Sequence, residues 1–376
     1  MFRRFQTVRN RAKQGGAAFC GTLIARTSEG ADTPDQEVTL SLSTITIIIA
    51  HTRPEIRVCL ASLARQTLPS ERFDVVAVGN SPEDVNPNEF PFALRYIECA
   101  DRNPSARRNI GISHARGDIL AFLDDDAEAT DDWLERALGV FQSDPSIGVV
   151  GGPKLLPRGA PLSHRLTYKI AHAGFFGNGH ENLHRDANEL RVVLGYITCC
   201  NLFVFPARIK ESDPFEIHIG YGGEDTAFLY QISRRNHCKI QYSVSVVVYH
   251  SPGGFGLRFL AKRFGFRFNN GMMLWACPRL YLMNRKFATG LVVAALLLIL
   301  FAFKPLAVFP VGALHQAISF AYAVRYRRED WRLCVLFPPA LLTQHMVYTA
   351  GLLAGILSVA DPRLRKRIRN IRERLR

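Results

Sequence analysis

Residues 121–133 read AFLDDDAEATDDW, three apolar residues followed by Asp124, Asp125 and Asp126 with no basic residue beside them. Three adjacent carboxylates repel one another. Placed at the end of a buried strand they also carry a desolvation cost, which something gained there must offset. Two readings are open on the triplet alone. Asp is common at strand ends and helix N-caps, and Asp131 or Asp132 before Trp133 suits a cap. Alternatively, the carboxylates hold a hard divalent cation such as Mg²⁺ or Mn²⁺, which takes carboxylate oxygens together with substrate phosphates.

The surrounding pattern tips the balance. Upstream, TITIIIA (44–50) is a β-branched run typical of a strand buried on both faces, and EIRVCLASLARQ (55–66) has helical spacing. FDVVAVGN (73–80) and ALRYIECA (93–100) are two further strands around a loop at 81–91. A helix over 105–116 then leads into DILAFLDDD (118–126) as a fourth strand. This order predicts an α/β domain with a largely parallel sheet, in which ligands bind beyond the carboxyl ends of the strands. The triple Asp sits at such an end. Neither GxxxxGK[ST] nor a GxGxxG after the first strand is present, so a bound nucleotide diphosphate would need a metal to neutralise it.

Charge is placed unevenly. Of a net +14, residues 1–13 hold +5 and residues 361–376 hold +6, which leaves the bulk of the chain near neutral. That argues against an extended nucleic-acid surface and for two basic ends facing an anionic membrane leaflet. The eight cysteines form no CxxC and read as reduced thiols in a cytoplasmic setting, with Cys199 and Cys200 in an apolar run as core. Residues 27–37 read as a linker, and 17–25 are too short and interrupted for a signal peptide.

Five segments in order, TITIIIAHTRPE, VAVGN, ARRNIGISHARGDILAFLDDD, GYGGEDTAFLYQISRRN and VVVYHSP, resemble family 2 inverting glycosyltransferases over residues 43–265. The resemblance implies a GT-A fold (Rossmann-like, with a mostly parallel mixed sheet) and a nucleotide-sugar donor. It implies Mn²⁺ or Mg²⁺ on Asp126 and Asp124, Asp126 being the direct ligand, Asp124 nearer the ribose and Asp125 sharing either task. It further implies Asp225 as the base that takes the acceptor proton, with Glu224 as the alternative, and His250 at the metal or diphosphate. Arg108 and Asn109 would shape the nucleotide pocket. Read without the family, Glu224 and Asp225 are acids complementing a helix N-terminus, and His250 is a structural residue at a strand end. The basic residues Arg258, Lys262, Arg263 and Arg267 either stabilise a leaving diphosphate or form a solvated or lipid-facing face.

Two departures from the family stand out. Gly79 occupies the place of its nucleobase-recognising Asp, leaving Asn80, Glu83 or Asp84 to substitute. Ala50, His51 and Thr52 replace its Pro-Thr-aromatic-Asn, which makes Thr52 a substrate-binding candidate. QISRRN does not match the QxxRW of processive members, which favours addition of one sugar.

Beyond residue 286 three uncharged stretches follow, 287–303, 305–324 and 333–360, against the ~20 apolar residues a helix needs to cross a bilayer. The first two suggest a hairpin. The third, flanked by basic segments that favour the cytoplasmic side, suggests a re-entrant segment bent at Pro338-Pro339. Leu364, Ile368, Ile371 and Leu375 recur at helical spacing among arginines, the pattern of an interfacial amphipathic helix. The expected organisation is a basic extension and linker (1–42), a GT-A domain (43–268), a helical membrane-associated region (269–360) and a basic amphipathic tail (361–376). The expected function is metal-dependent, inverting transfer of one sugar to a lipid-linked or polysaccharide acceptor. It would take place at the inner (plasma) membrane, with the catalytic domain cytoplasmic. The rival is a catalytically silent membrane protein that uses the domain to bind a sugar nucleotide or a partner.

Overall fold

The computed structural model describes residues 44–52, 56–80, 85–173, 185–189, 194, 196–209, 213–220, 222–236, 238–282 and 285–375. The N-terminal extension and linker, and the candidates Glu83 and Asp84, lie outside the described residues. In chain order the α/β part runs β1 (Ile45–His51), α1 (Arg57–Leu63), β2 (Phe73–Gly79), β3 (Ala93–Glu98), α2 (Pro104–His114), β4 (Ile119–Leu123) and β5 (Ala127–Ala129). It continues with α3 (Trp133–Ser143), β6 (Ile147–Gly151), β7 (Lys154–Leu155), α4 (Leu162–His172), β8 (Asn201–Val204), α5 (Glu224–Asn236), β9 (Lys239–Tyr242) and β10 (Val248–His250).

Seven strands form one sheet in the order β3-β2-β1-β4-β8-β6-β9. β1 to β4 are mutually parallel, β8 runs antiparallel to both β4 and β6, and β9 is parallel to β6. This is the mixed, parallel-rich GT-A sheet. The β-branched run of β1 is buried on both sides, as its composition requires. Ile45, Ile47 and Ile49 enter one core with Val75, Ala121 and Trp133, while Ile48 enters the other with Phe122, Leu202 and Phe228. β1 and β4 are neighbours from which the strand order departs in opposite directions, so the crevice beyond their carboxyl ends is where a ligand fits.

The fourth strand closes at Leu123, short of the expected Asp126, and the three aspartates form the turn into β5, with the Ala127 amide donating to the Asp124 carbonyl at 3.1 Å. A second, three-stranded sheet, β5-β10-β7, pairs His250 with Ala127 in antiparallel register. That register carries His250 to the aspartates from 124 residues further along the chain. At the cap position Asp132, the carboxylate caps nothing; it accepts from Arg136 and Thr130 instead.

The C-terminal part is helical: α6 (Leu257–Ala276), α7 (Pro278–Leu282), α8 (Arg285–Phe303), α9 (Val308–Ala323), α10 (Trp331–Leu357) and α11 (Pro362–Leu375). Three expectations are corrected here. The boundary drawn at residue 268 falls inside α6, whose Met272, Met273 and Ala276 share a core with the seven-stranded sheet. Residues 333–360 are helical throughout, not broken at the prolines: α10 carries Pro338 and Pro339 inside it, and a 3-10 turn at Ser358–Ala360 follows. The tail is helical and amphipathic, but Ile368, Ile371 and Leu375 are buried in the core under α5 rather than turned to a leaflet. Its arginines hold that docking: Arg367 donates to the His218 carbonyl, and Arg374 pairs with Glu216 at 3.5 Å. The apolar stripe had an uncovered protein face within reach, and burial there removes the same apolar area from water as a membrane would.

Among the described residues two helices are long and apolar enough to cross a membrane, Pro305–Tyr326 and Trp331–Ala360.

Candidate active site

The site is built on one buried cation. Arg108, in the middle of α2, is 7% exposed. Its Nη1 lies 3.2 Å from Glu224 Oε1 and its Nη2 lies 3.4 Å from Asp124 Oδ1. Burial opposes the charge on Arg108; the surrounding anionic groups, Glu224 and Asp124 among them, outweigh it and hold the guanidinium above its usual range. The ring of Phe215 covers it at 5.6 Å. Phe215 is fixed in turn by Asn109, whose amide donates to its carbonyl and accepts from its N–H, both at 2.9 Å. Asn109 therefore stands behind Arg108, with its amide engaged by the backbone.

Asp124 Oδ, Cys200 Sγ and a ring nitrogen of His250 lie within 4.8 Å of one another. Asp126 Oδ1 is 3.4 Å from His250 Nε2. Carboxylates with an imidazole are donors a divalent cation accepts, so these residues fit the group the sequence implied. Asp125 turns away: 5% exposed, it accepts from the Thr52 amide at 2.7 Å and the Thr52 hydroxyl at 3.3 Å, tying the ends of β1 and β4 together. Cys200, expected only as core, is aimed by its neighbour Asn201, which accepts from Trp133 Nε1 and donates to the Pro153 and Val246 carbonyls. Burial, then the charge of Asp124, pushes the Cys200 thiol well up, so it stays protonated.

On the opposite wall Gly220, Gly222 and Gly223 all have φ between 76° and 99°. Only glycine takes that conformation without strain, and it turns the chain sharply into α5. Glu224 opens the helix fully committed, Oε1 to Arg108 and Oε2 to the Gly222 amide at 2.7 Å. Asp225 is different. Its Oδ1 accepts from Thr226, and no other hydrogen bond to its carboxylate is made among the described residues. Burial raises both carboxyls; the Asp225 charge adds to the rise at Glu224, while Arg108 opposes it at each. Lys154, which sequence reading passed over, donates to Thr198 Oγ1 at 2.9 Å, and its charge reaches Asp225 and Asp124.

At the expected nucleobase end, Gly79 has a physical reason. A Cβ there would meet the His51 carbonyl oxygen at 2.1 Å and Arg107 Nη1 at 3.0 Å. Arg107, 1% exposed, donates to the His51, Cys99 and Asp101 carbonyls. Asn80 is exposed beside this point, whereas Arg263 lies on α6, outside the acidic cluster.

A model of the family described as glycosyl transferase family 2 matches residues 45–205. The succinoglycan biosynthesis protein ExoM of Rhizobium meliloti (strain 1021) is 31% identical over 241 residues, covering 60% of this chain and 71% of that protein. Glycosyltransferase AglE of Haloferax volcanii is 27% identical over 263 residues, 67% of this chain and 80% of that one. Among solved structures, the mannosyltransferase PcManGT from Pyrobaculum calidifontis, in complex with GDP-Man and Mn²⁺, aligns with a TM-score of 0.49 at 16% identity, covering 81% and 86% of the two chains. With a relative above 30% identity matched over most of its length, and the sheet order and acidic crevice in place, this chain belongs to glycosyl transferase family 2 and is a glycosyltransferase of GT-A fold.

Proposed function

We propose that the protein transfers one sugar, with inversion, from a nucleotide-sugar donor to a hydroxyl of a lipid-linked or polysaccharide acceptor at the cytoplasmic face of the inner membrane. The observation that carries this reading is the division of labour about Arg108. On one side stand the cation donors Asp124, Asp126 and His250; on the other stands Asp225, the one acid there with a carboxylate oxygen left for an incoming hydroxyl. A divalent cation held by the first group supplies positive charge to the donor diphosphate. Asp225 accepts the acceptor proton as the oxygen attacks, and burial keeps it basic enough to do so. Glu224, held at both oxygens, positions Arg108. The name of the relative ExoM, a succinoglycan biosynthesis protein, supports a polysaccharide-building role.

The membrane reading rests on how the apolar helices sit. Val292, Leu296, Ile299, Phe303, Phe309 and Leu314 of α8 and α9 are exposed. Both ends of α10 are held on the catalytic domain, through Arg165 with Asp330 at one end and Trp275 Nε1 with the Ile356 carbonyl at the other. Its outward face carries Trp331, Val335, Met346 and Leu357, all exposed. A helix pinned at both ends to one folded domain lies along it, so α10 beds in the interface while the α8–α9 hairpin inserts. Carbonate should leave the chain in the membrane fraction; release by high salt alone would sink this attachment.

The deciding experiment is thermal-shift screening of UDP-, GDP-, dTDP- and CDP-sugars with and without Mn²⁺. Stabilisation by one nucleotide class, dependent on the cation, is expected. Cation-dependent binding with no sugar transferred to any membrane extract would favour the silent-binder alternative.

A further inference from the structure

The segment that leads into the glycine turn is gripped on alternate residues by two helices. Helix α2 takes the odd ones. Asn109 bonds both backbone groups of Phe215 at 2.9 Å, and Asn103, the cap of α2, donates from Nδ2 to the Ile217 carbonyl at 2.8 Å. Helix α11 takes the even ones: Arg374 Nη1 lies 3.5 Å from Glu216 Oε2, and Arg367 donates from Nε to the His218 carbonyl. Glu216 links its own turn as well, its Oε1 accepting the His218 N–H at 2.9 Å and lying 2.6 Å from His218 Nδ1. The turn is closed by the Ile219 N–H on the Glu216 carbonyl at 3.3 Å, and it is tied to α2 and α11 at once.

The glycines that follow cannot hold a course of their own. Gly220, Gly222 and Gly223 have φ between 76° and 99°, and glycine has the most backbone freedom to lose on being ordered. Side chains packed against them fix their path. A Cβ on Gly220 would stand 2.9 Å from Arg367 Nη2, and one on Gly222 would stand 2.2 Å from Phe266 Cδ2 of α6. One guanidinium therefore spans the start of the turn, with Nε on the His218 carbonyl and Nη2 against Gly220. The planar fork of arginine suits that double contact.

The placement of this turn matters most for Asp225. Glu224 is tied at both oxygens, whereas among the described residues the Asp225 carboxylate bonds only to Thr226 of its own helix. Its position in the crevice is inherited from the backbone before it. Helix α11 also reaches the body of α5: Gln231 Nε2 donates to the Arg374 carbonyl at 3.1 Å, and Ile368, Ile371 and Leu375 share a core with Ala227 and Phe228. A reacting group displaced by ~1 Å can lose about 10²-fold in rate.

We propose that Arg367 is a positioning residue for the transfer reaction: from α11 it holds the turn at 218–220 and so sets where the Asp225 carboxylate meets the acceptor hydroxyl. This rests on the reading of Asp225 as the base, and adds to it the element that aims the base. Helix α11 follows the apolar helices α8 to α10 in the chain, so the base is aimed only once that part of the chain has folded back beside α5.

The test uses the full chain in uncharged detergent. Arg367→Met keeps the length of the side chain and removes its donors, Arg367→Lys restores a donor, and Ile371→Ala loosens the same helix without touching the turn. Deuterium exchange over 222–226 should be about tenfold faster in Arg367→Met and near normal in Arg367→Lys, with exchange over α3 unchanged. Unchanged exchange over 222–226 in Arg367→Met would overturn the proposal. Turnover is read as transfer of labelled sugar to a membrane lipid extract, from whichever of the UDP-, GDP-, dTDP- or CDP-sugars stabilises the protein. In Arg367→Met kcat should fall by about tenfold while Mn²⁺-dependent nucleotide binding stays as it was. Ile371→Ala, compared at a temperature where both variants are fully folded, should nearly keep its kcat; an equal fall there would reduce Arg367 to a stability residue. The double variant reads the route. If Arg367 acts through Asp225, Arg367→Met should lower the rate no further in an Asp225→Asn background, and a second loss of the same size would overturn the proposal. Should Arg367→Met fold poorly, Arg374→Met at the exposed end of α11 tests the same clamp through Glu216, with the same expectations. Failure of the base reading shows separately. Near-normal turnover in Asp225→Asn would sink that reading, and faster exchange in Arg367→Met would then leave the clamp on the turn standing without it.

Discussion

Arg108 and Glu224, 116 residues apart in sequence, meet at 3.2 Å in a buried ion pair that also reaches Asp124. One side chain thereby fixes the spacing between the aspartate turn after β4 and the N-terminus of α5. A buried pair of this kind specifies geometry more than it adds stability, and removing one partner strands the other.

Arg108→Met should therefore destabilise the fold by about 3–5 kcal/mol in chemical denaturation. Arg108→Met with Glu224→Leu should recover part of that loss, because no charge is then left stranded. Equal loss in the single and double variants would mean that the ion pair does not hold the turn and α5 together.

The pH profile follows from the same cation. A general base must be ionised, so turnover falls as pH drops through the Asp225 pKa, which burial has already raised. Arg108 opposes that rise; taking its charge away, as in Arg108→Met, should move the acid limb of kcat to still higher pH. A limb that stays in place would uncouple Arg108 from the base.

Asp225→Asn should keep cation-dependent nucleotide binding and lose turnover by roughly 10²-fold or more, since the amide keeps the shape but accepts a proton poorly. Glu224→Gln should lose stability as well as rate, because Glu224 is tied at both oxygens. An inactive Glu224→Gln that is fully stable, beside a near-normal Asp225→Asn, would transfer the base to Glu224.

Asp126→Ala and His250→Ala should each weaken Mn²⁺ binding followed by electron paramagnetic resonance. Cys200→Ser should leave Mn²⁺ nearly unaffected and weaken Cd²⁺, because a protonated buried thiol suits only a soft ion able to displace its proton. Equal loss of both metals in Cys200→Ser would make the thiol a ligand for hard cations too.

The tail prediction is one of stability. Ile371→Ala should lower the unfolding free energy by about 2–4 kcal/mol, the usual cost of truncating a buried aliphatic side chain. Deletion after Ala360 should expose the core under α5 and unfold or aggregate the catalytic domain rather than merely loosen it from membranes.

The sequence by itself determined the α/β order, the strand ends and the acids that stand there. Those follow from local rules: β-branched runs make buried strands, apolar spacing makes helices, and glycines at 220, 222 and 223 make the sharp turn before Glu224. Tertiary structure decided which acids face one another and which are already spoken for. Adjacent residues diverge when the chain turns, so Asp125 ties β1 to β4 while Asp124 and Asp126 face His250. Cys200 and Lys154 join the site through contacts with residues far along the chain, which no local pattern signals. The amphipathic tail is the clearest case. Spacing alone shows that Ile368, Ile371 and Leu375 share a face, but whether lipid or protein covers that face depends on what the folded chain leaves open, and here it left open the core beneath α5.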